Sequence, residues 1–253
     1  MNNKKLIVMV IAAVVLGGAA YVLSSGSKPA GAKLNGQAIF PKLELANVRS
    51  VELGDTLKLA SGEKGWAAAS YHGYPVDHAK LTESLLKLTE LKVGQVARGT
   101  KLEKSADLVL RDGAGAELAR LPLGEKHAKW GRGRYASFGG ETVLVSDSLD
   151  AFDGDGKSFV ETKIVDTPWI SFNDVVEGLD EATLGFATGV VAKVTVAGDT
   201  NRVATVGNVV AGGTDRYFKL DNSAWVYTVP AYSVEKLLPK KEEAKKEDSP
   251  AVP

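Results

Sequence analysis

Asp215 to Leu237 reads DRYFKLDNSAWVYTVPAYSVEKL, and Gly133 to Phe152 reads GRYASFGGETVLVSDSLDAF. Each stretch opens on an Arg-Tyr pair, crosses a polar segment containing Gly or Asn, continues into an apolar β-type run and ends on a short apolar-tipped segment. The likeness extends upstream. ADLVLRDGAGAELARLPLGEK precedes the first stretch and AKVTVAGDTNRVATVGN precedes the second; each reads as a strand, a Gly/Asp turn and a second strand reaching Gly124 or Gly207. Two further strands follow in each copy, at Arg134-Tyr135 and Val143-Leu144-Val145, and at Arg216-Tyr217 and Trp225-Val226-Tyr227. Short helices are expected around Leu149–Phe152 and Val234–Leu238. The offsets between copies drift only in turns. The pattern predicts an α+β fold of duplicated antiparallel β-meander plus helix units, helices lying on one side of each sheet.

Between the N-terminal region and the first copy, Val48–Leu53 and Leu57–Ala60 read as strands separated by Gly54-Asp55, and SGEKG forms a turn before Trp66. After Pro75, the segment HAKLTESLLKLTELK places Leu81, Leu85, Leu88 and Leu91 at helical spacing, with Asp77 as N-cap. This predicts a helix from about His78 to Lys92 with a core-facing leucine stripe.

The N-terminal reading concerns location. Leu6 to Leu23, LIVMVIAAVVLGGAAYVL, contains no charge and as a helix would rise about 27 Å, close to the hydrocarbon thickness of a bilayer. Lys4 and Lys5 precede it, so the positive-inside rule puts residues 1–5 in the cytoplasm and everything after Leu23 outside. A cleaved signal peptide is the competing reading, through the small residues Ala30-Gly31-Ala32; the distance of that site from the apolar run favours a retained single-pass anchor. The expected organisation is a 6–23 anchor, a Ser/Gly/Ala-rich linker over 24–45, a first unit over 46–175, a second over 176–238 and a charged disordered tail over 239–253.

Composition narrows the function. The chain has 31 basic and 31 acidic residues, so no global field draws nucleic acid. It has no cysteine, which excludes disulfides, thiol catalysis and a lipidated Cys. His72 and His78 flank Asp77, but lie six residues apart across Pro75 rather than at the spacing of a helical metal pair; His127 is remote in sequence. The Asp150–Glu161 segment offers Asp153, Asp155 and Glu161 as oxygen ligands, yet an EF-hand register with Gly156 at its sixth position puts Ala151 first and Thr162 last. It reads instead as a hydrophilic turn. No Gly-x-Ser-x-Gly elbow occurs, and Gly-Arg-Gly-Arg-Tyr from Gly131 lacks the Lys-Ser/Thr of a phosphate loop. Two aromatic groups, Trp66/Tyr71/Tyr74 and Trp225/Tyr227/Tyr232, suit either core packing or stacking on a sugar or peptide. No catalytic, cofactor-binding or metal residue is assigned, no cofactor is expected, and no small-molecule ligand is identified.

Trp66 followed by YPVDHAKLTESLLKLTELK, Leu184-Gly185-Phe186 leading into VAKVTVAGDTNRVATVGN, and RYFKLDNSAWVYTVP together resemble the bacterial domain-of-unknown-function family numbered 4340, over about Ala46 to Leu238. In this chain the Trp/Pro-Asp/helix module occurs once, the second half starting from DVVEGLDEATLGF. The resemblance implies a single-pass extracytoplasmic protein of the kind often associated with ABC-type export or gliding-type transporter components. The expectation is therefore a non-enzymatic accessory or binding module at the outer face of the cytoplasmic membrane, with transporter subunits as partners. The alternative is an envelope glycan-binding protein or hydrolase. A pilin-like subunit is disfavoured, because the apolar segment has no early glutamate.

Overall fold

The computed structural model describes residues 34–102, 104–127, 133–196 and 198–239. The chain forms two compact units that divide after Val160. Antiparallel sheets dominate both and helices are few, a fold of the α+β type. Among the described residues no helix is long and apolar enough to cross a membrane. The Leu6–Leu23 segment and the tail from Lys240 lie outside the described residues.

In the first unit, β1 (Ser50–Leu53), β2 (Leu57–Gly62), β3 (Gly65–Ala68) and β4 (Tyr74–Pro75) form a meander. Alternation does the sorting: Val51, Leu53, Leu57 and Leu59 point inward while their neighbours stay exposed or half-buried. The helix α1 (His78–Glu90) follows, and the carboxylate of Asp77 caps it by accepting from the amides of Ala79 (2.8 Å) and Lys80 (3.3 Å). The helix stops two residues short of Lys92 because Leu91 already has extended backbone. All four leucines of the stripe are buried. The remaining strands are β5 (Val93–Val96), β6 (Ala106–Arg111), β7 (Glu117–Lys126), β8 (Arg134–Phe138) and β9 (Glu141–Val145), completing one nine-stranded sheet in the order β4-β3-β2-β1-β6-β7-β8-β9-β5.

That order places β4 and β5 at opposite margins of the sheet, joined by α1 and four flanking residues. Residues before β1 also join it: Gly36 donates to the Val93 carbonyl, Ile39 to that of Leu91, and Ile39 is buried. The last residues of the expected linker thus belong to the fold.

Strand β7, in its pairing with β8, carries the first unit's key irregularity. Leu123 pairs with Ala136 and Lys126 with Arg134, three steps on β7 against two on β8, which is a one-residue bulge beginning at Gly124. Beyond β9, two short 3-10 turns (Asp150–Phe152 and Lys157–Phe159) bring the chain back to the start of α1. Phe159 accepts from the Asp77 amide at 2.8 Å, Val160 from the Lys80 ammonium at 2.7 Å, and Asp155 from the Ser70 hydroxyl at 2.6 Å, all through backbone carbonyls.

The second unit opens with a hairpin of β10 (Lys163–Val165) and β11 (Ile170–Ser171), then β12 (Asp174–Val176). A one-turn helix α2 (Glu181–Leu184), capped by the Asp180 carboxylate on the Thr183 amide at 2.6 Å, precedes β13 (Val190–Val196), β14 (Asp199–Val209), β15 (Arg216–Leu220) and β16 (Val226–Val229). The sheet order is β12-β16-β15-β14-β13, all antiparallel. Because β12 pairs with β16 and Asn173 donates to the Thr228 carbonyl, residues 161–175 belong to this unit, where the sequence reading set the boundary after residue 175. On β14, Val206 pairs with Phe218 and Val209 with Arg216, again three steps against two. Gly207 sits in that bulge, and a β-carbon there would lie 2.0 Å from the Leu184 carbonyl oxygen, so only glycine admits the end of α2. The Asn208 amide holds α2 down by donating to the carbonyls of Ala182 and Thr183. The unit ends with α3 (Ala231–Val234) and a 3-10 turn, Glu235–Leu237, at the position expected for the terminal helix.

Candidate functional site

The carboxylate-rich segment after β9 is occupied by the protein's own cations. The Lys126 ammonium reaches Asp150 (2.5 Å) and Asp153 (2.8 Å), and Arg134 reaches Asp153 at 2.7 Å. The Lys126 hydrogen bond holds the Asp150 carboxyl below the usual carboxylate range, with Ser148 adding to it. Lys126 is raised in turn, first by Asp150 and then by Asp153. Asp155 accepts from the Lys157 amide and Glu161 from the Lys163 amide. Gly154 and Gly156, at φ 88° and 95°, supply the left-handed turns of the segment. Among the described residues no three His, Asp or Glu side chains are grouped to hold a metal ion. His78 lies at the start of α1 with Nδ1 3.3 Å from the Thr82 hydroxyl, and His72 packs edge-on against Tyr71.

The aromatic groups divide differently from their order in sequence. Tyr71 and Tyr74 are buried, edge to face with centroids 6.5 Å apart, and Trp66 is half-buried on β3. On β16, Tyr227 is buried against Phe172, with ring centroids 5.0 Å apart. The rings of Tyr71, Tyr74 and Tyr227 are core. Tyr232 parts from its neighbours: it stands on α3 and is 74% exposed.

A second exposed aromatic faces solvent in the same unit. Trp169, in the turn between β10 and β11, is 67% exposed. Lys163 lies over its ring, 4.8 Å from the centroid, and is itself held by Asp166 at 2.7 Å. Trp169 and Tyr232 line a groove of about 380 Å³, bounded by Pro168 and Pro230, with Ser171, Asn173, Ser233 and Lys236 completing its walls. Lys163 is not among the lining residues, so the indole is braced by the ammonium and turns its remaining surface to the groove. The volume lies within the range of small-ligand and side-chain pockets. Its chemistry is two apolar ring surfaces flanked by hydroxyl, amide and ammonium groups, suited to a ligand with an apolar face and a polar or acidic rim.

The sequence reading singled out Tyr232 but not Trp169. The available signal was the setting of Trp169 in Thr-Pro-Trp, an aromatic following a proline outside any apolar periodicity. Compared with protein families, curated proteins and solved structures, the chain matches none.

Proposed function

We propose that this chain is a non-enzymatic binding module, anchored by Leu6–Leu23 in the cytoplasmic membrane and displaying its folded units on the outer side. The groove of the second unit is its recognition surface, and the observation that carries the reading is the pair of exposed rings, Trp169 and Tyr232, facing one concavity. Large exposed aromatics cost solvation in isolation and mark contact surfaces when gathered around a pocket. The resemblance to family 4340 supports membrane transporter subunits as the partners.

We infer further that the two units contain copies of one scaffold. In each, a four-strand meander is flanked by the strand that precedes it, paired antiparallel to the meander's last strand: β6-β7-β8-β9-β5 in one and β13-β14-β15-β16-β12 in the other. Each has a one-residue bulge at a glycine of the second strand. Opposite it, an arginine of the third strand donates to that glycine's carbonyl: Arg134 to Gly124 at 2.7 Å and Arg216 to Gly207 at 3.1 Å. The chain before the meander covers the glycine in both, through Leu102 over Gly124 and Leu184 with Phe186 over Gly207. The arginines of the echoed Arg-Tyr pairs thus have one job in each copy, satisfying the carbonyl that the bulge takes out of the ladder.

The glycan-binding alternative keeps a specific foothold, since flat rings beside hydroxyl and amide groups also stack on sugars. A pocket joining Trp66 and Tyr74 to a histidine and carboxylates would favour its hydrolase form, and Tyr74 is buried. A photoreactive residue at Tyr232 in the intact anchored protein, activated in its native membrane, tests the reading. Capture of transporter subunits, lost in Trp169→Ala, is the expected result. No captured protein, together with Trp169-dependent retention on isolated envelope glycan, would install the alternative.

A further inference from the structure

We propose that the outer edge of β13 takes up an extended strand of a partner polypeptide, antiparallel to β13 and with an acidic side chain opposite Lys193. The proposal rests on reading the two units as copies and concerns a surface separate from the groove. Aligning the last regular pairs before the bulges, at Leu123 and Val206, equates Ala106 with Val190, since these are their partners on the first meander strand. It follows that Val109 corresponds to Lys193 and Arg111 to Thr195. In the first unit the outer edge of β6 is filled by β1, with Glu52 opposite Val109 and Ser50 opposite Arg111, and β2, β3 and β4 extend the sheet beyond it. In the second unit β13 is the last strand of its sheet.

The backbone directions agree with this alignment. Arg111 and Asp107 accept from Arg49 and Gly54 through carbonyls aimed at β1, so odd-numbered residues of β6 face outward. On β13, Thr195 exchanges bonds with the β10–β11 turn on the outer side, donating to Thr167 at 3.2 Å and accepting from Asp166 at 2.7 Å. The turn fills the place that Ser50 fills in the first unit and goes no further along the edge. By the two-residue period of a strand, Lys193 and Val191 also aim N–H and C=O outward. Both side chains are exposed, Val191 by 66%. Among the described residues nothing pairs with that edge beyond Thr195. Strand addition to such an edge takes its affinity from main-chain hydrogen bonds and its register from alternate side chains. The acid of β1 stands opposite Val109, and the second unit has a lysine at the corresponding place, so a partner strand built like Ser50-Val51-Glu52-Leu53 would set its carboxylate beside an ammonium. A second copy of the chain, paired about Ala192, would instead set Val191 against Lys193.

The test uses the full chain in detergent micelles and two synthetic peptides, Arg-Ser-Val-Glu-Leu-Gly and the same peptide with Lys for Glu, read by amide hydrogen exchange. In the free protein, the amides of Val191 and Lys193 exchange faster than those of Ala192 and Val194, which bond to β14. The acidic peptide slows both outward amides, and the basic peptide binds about fivefold more weakly, the upper range of a cross-strand ion pair. Lys193→Glu reverses that preference. Unchanged exchange at Val191 and Lys193 at millimolar peptide, equal affinity for both peptides, or protection that rises with protein concentration alone would overturn the proposal, the last in favour of a self-paired edge. Arg134→Met and Arg216→Met separate the two levels of inference: if each destabilises its own unit while the peptide fails, only the edge proposal falls. If one is silent, the correspondence of the units falls with it.

Discussion

Gly207→Ala is the sharpest perturbation of the second unit. An added β-carbon would stand 2.0 Å from the Leu184 carbonyl oxygen and 3.0 Å from two ring carbons of Phe186, and it must gain about 1 Å to reach even the closest separation that real side chains show. The obstacle is backbone, clamped by the Asn208 amide on the carbonyls of Ala182 and Thr183, so it cannot swing aside. This places the cost at the upper end of overpacking, about 3 kcal/mol. Gly124→Ala meets the Leu102 side chain at 2.7 Å, a flexible tip that can move, and costs about 1 kcal/mol. Gly213→Ala finds nothing nearer than 3.9 Å and stays within about 0.5 kcal/mol. None of the three needs a left-handed backbone, so the series isolates contact. Urea unfolding followed by tryptophan fluorescence reads it, with a midpoint loss for Gly207→Ala of roughly 1.5–3 M at a slope of about 1–2 kcal/mol per molar. A Gly207→Ala midpoint within error of the parent would refute the seating of α2 on the bulge. Equal costs at Gly124 and Gly207 would refute the distinction between a backbone obstacle and a side-chain one.

Asp77→Ala removes the cap of α1 and lowers stability by about 1 kcal/mol, whereas Leu88→Ala empties a fully buried site and costs about 2–5 kcal/mol, both read by the same urea titration. Asp150, its carboxyl held below the usual range by Lys126, stabilises the fold above its unfolded pKa and ceases to do so as pH falls through its folded value. Stability measured from neutrality to strong acid therefore declines on the acid side, and Asp150→Asn makes that decline shallower; an unchanged acid limb would remove Lys126–Asp150 as its source. Trp169→Ala and Tyr232→Ala change stability by no more than about 0.5 kcal/mol, since both rings are mostly exposed, while Trp169→Ala abolishes photocapture from position 232. Large destabilisation by either would make the ring part of the scaffold.

What the sequence disclosed follows from where periodicity exists. The leucines of α1 repeat at helical spacing and Asp77 precedes them, so helix, face and cap were all readable. The strands from Ala106 to Val145 and from Val190 to Val229 alternate or run apolar between Gly/Asp turns, and they were readable too. β10, β11 and β12 have three, two and three residues, too few for a period to register, which is why the unit boundary was drawn too late. The aromatic reading divided Trp225, Tyr227 and Tyr232 as a cluster by nearness in sequence. In the structure a strand buries Tyr227 while the following helix turns Tyr232 to solvent, and Trp169 joins Tyr232 from more than sixty residues away. Such a pairing is a product of tertiary folding and leaves no local mark.

The echo is audible at Arg and Gly rather than in the groove because backbone geometry constrains those positions. A bulged strand has a carbonyl without a ladder partner, and a chain crossing above it leaves no room for a side chain. Backbone geometry then dictates two residue identities: glycine at the crossing, and a long donor on the next strand to reach the carbonyl. Any copy of the scaffold must meet both demands, whatever its surface does. The edges face no such demand. One first strand has gained β1 through β4 beside it, and the other presents Val191 and Lys193 to solvent. Under the proposed duplication, identity between the units reports shared construction, and the places where they differ, the open edge of β13 and the Trp169–Tyr232 groove, are where recognition is to be sought.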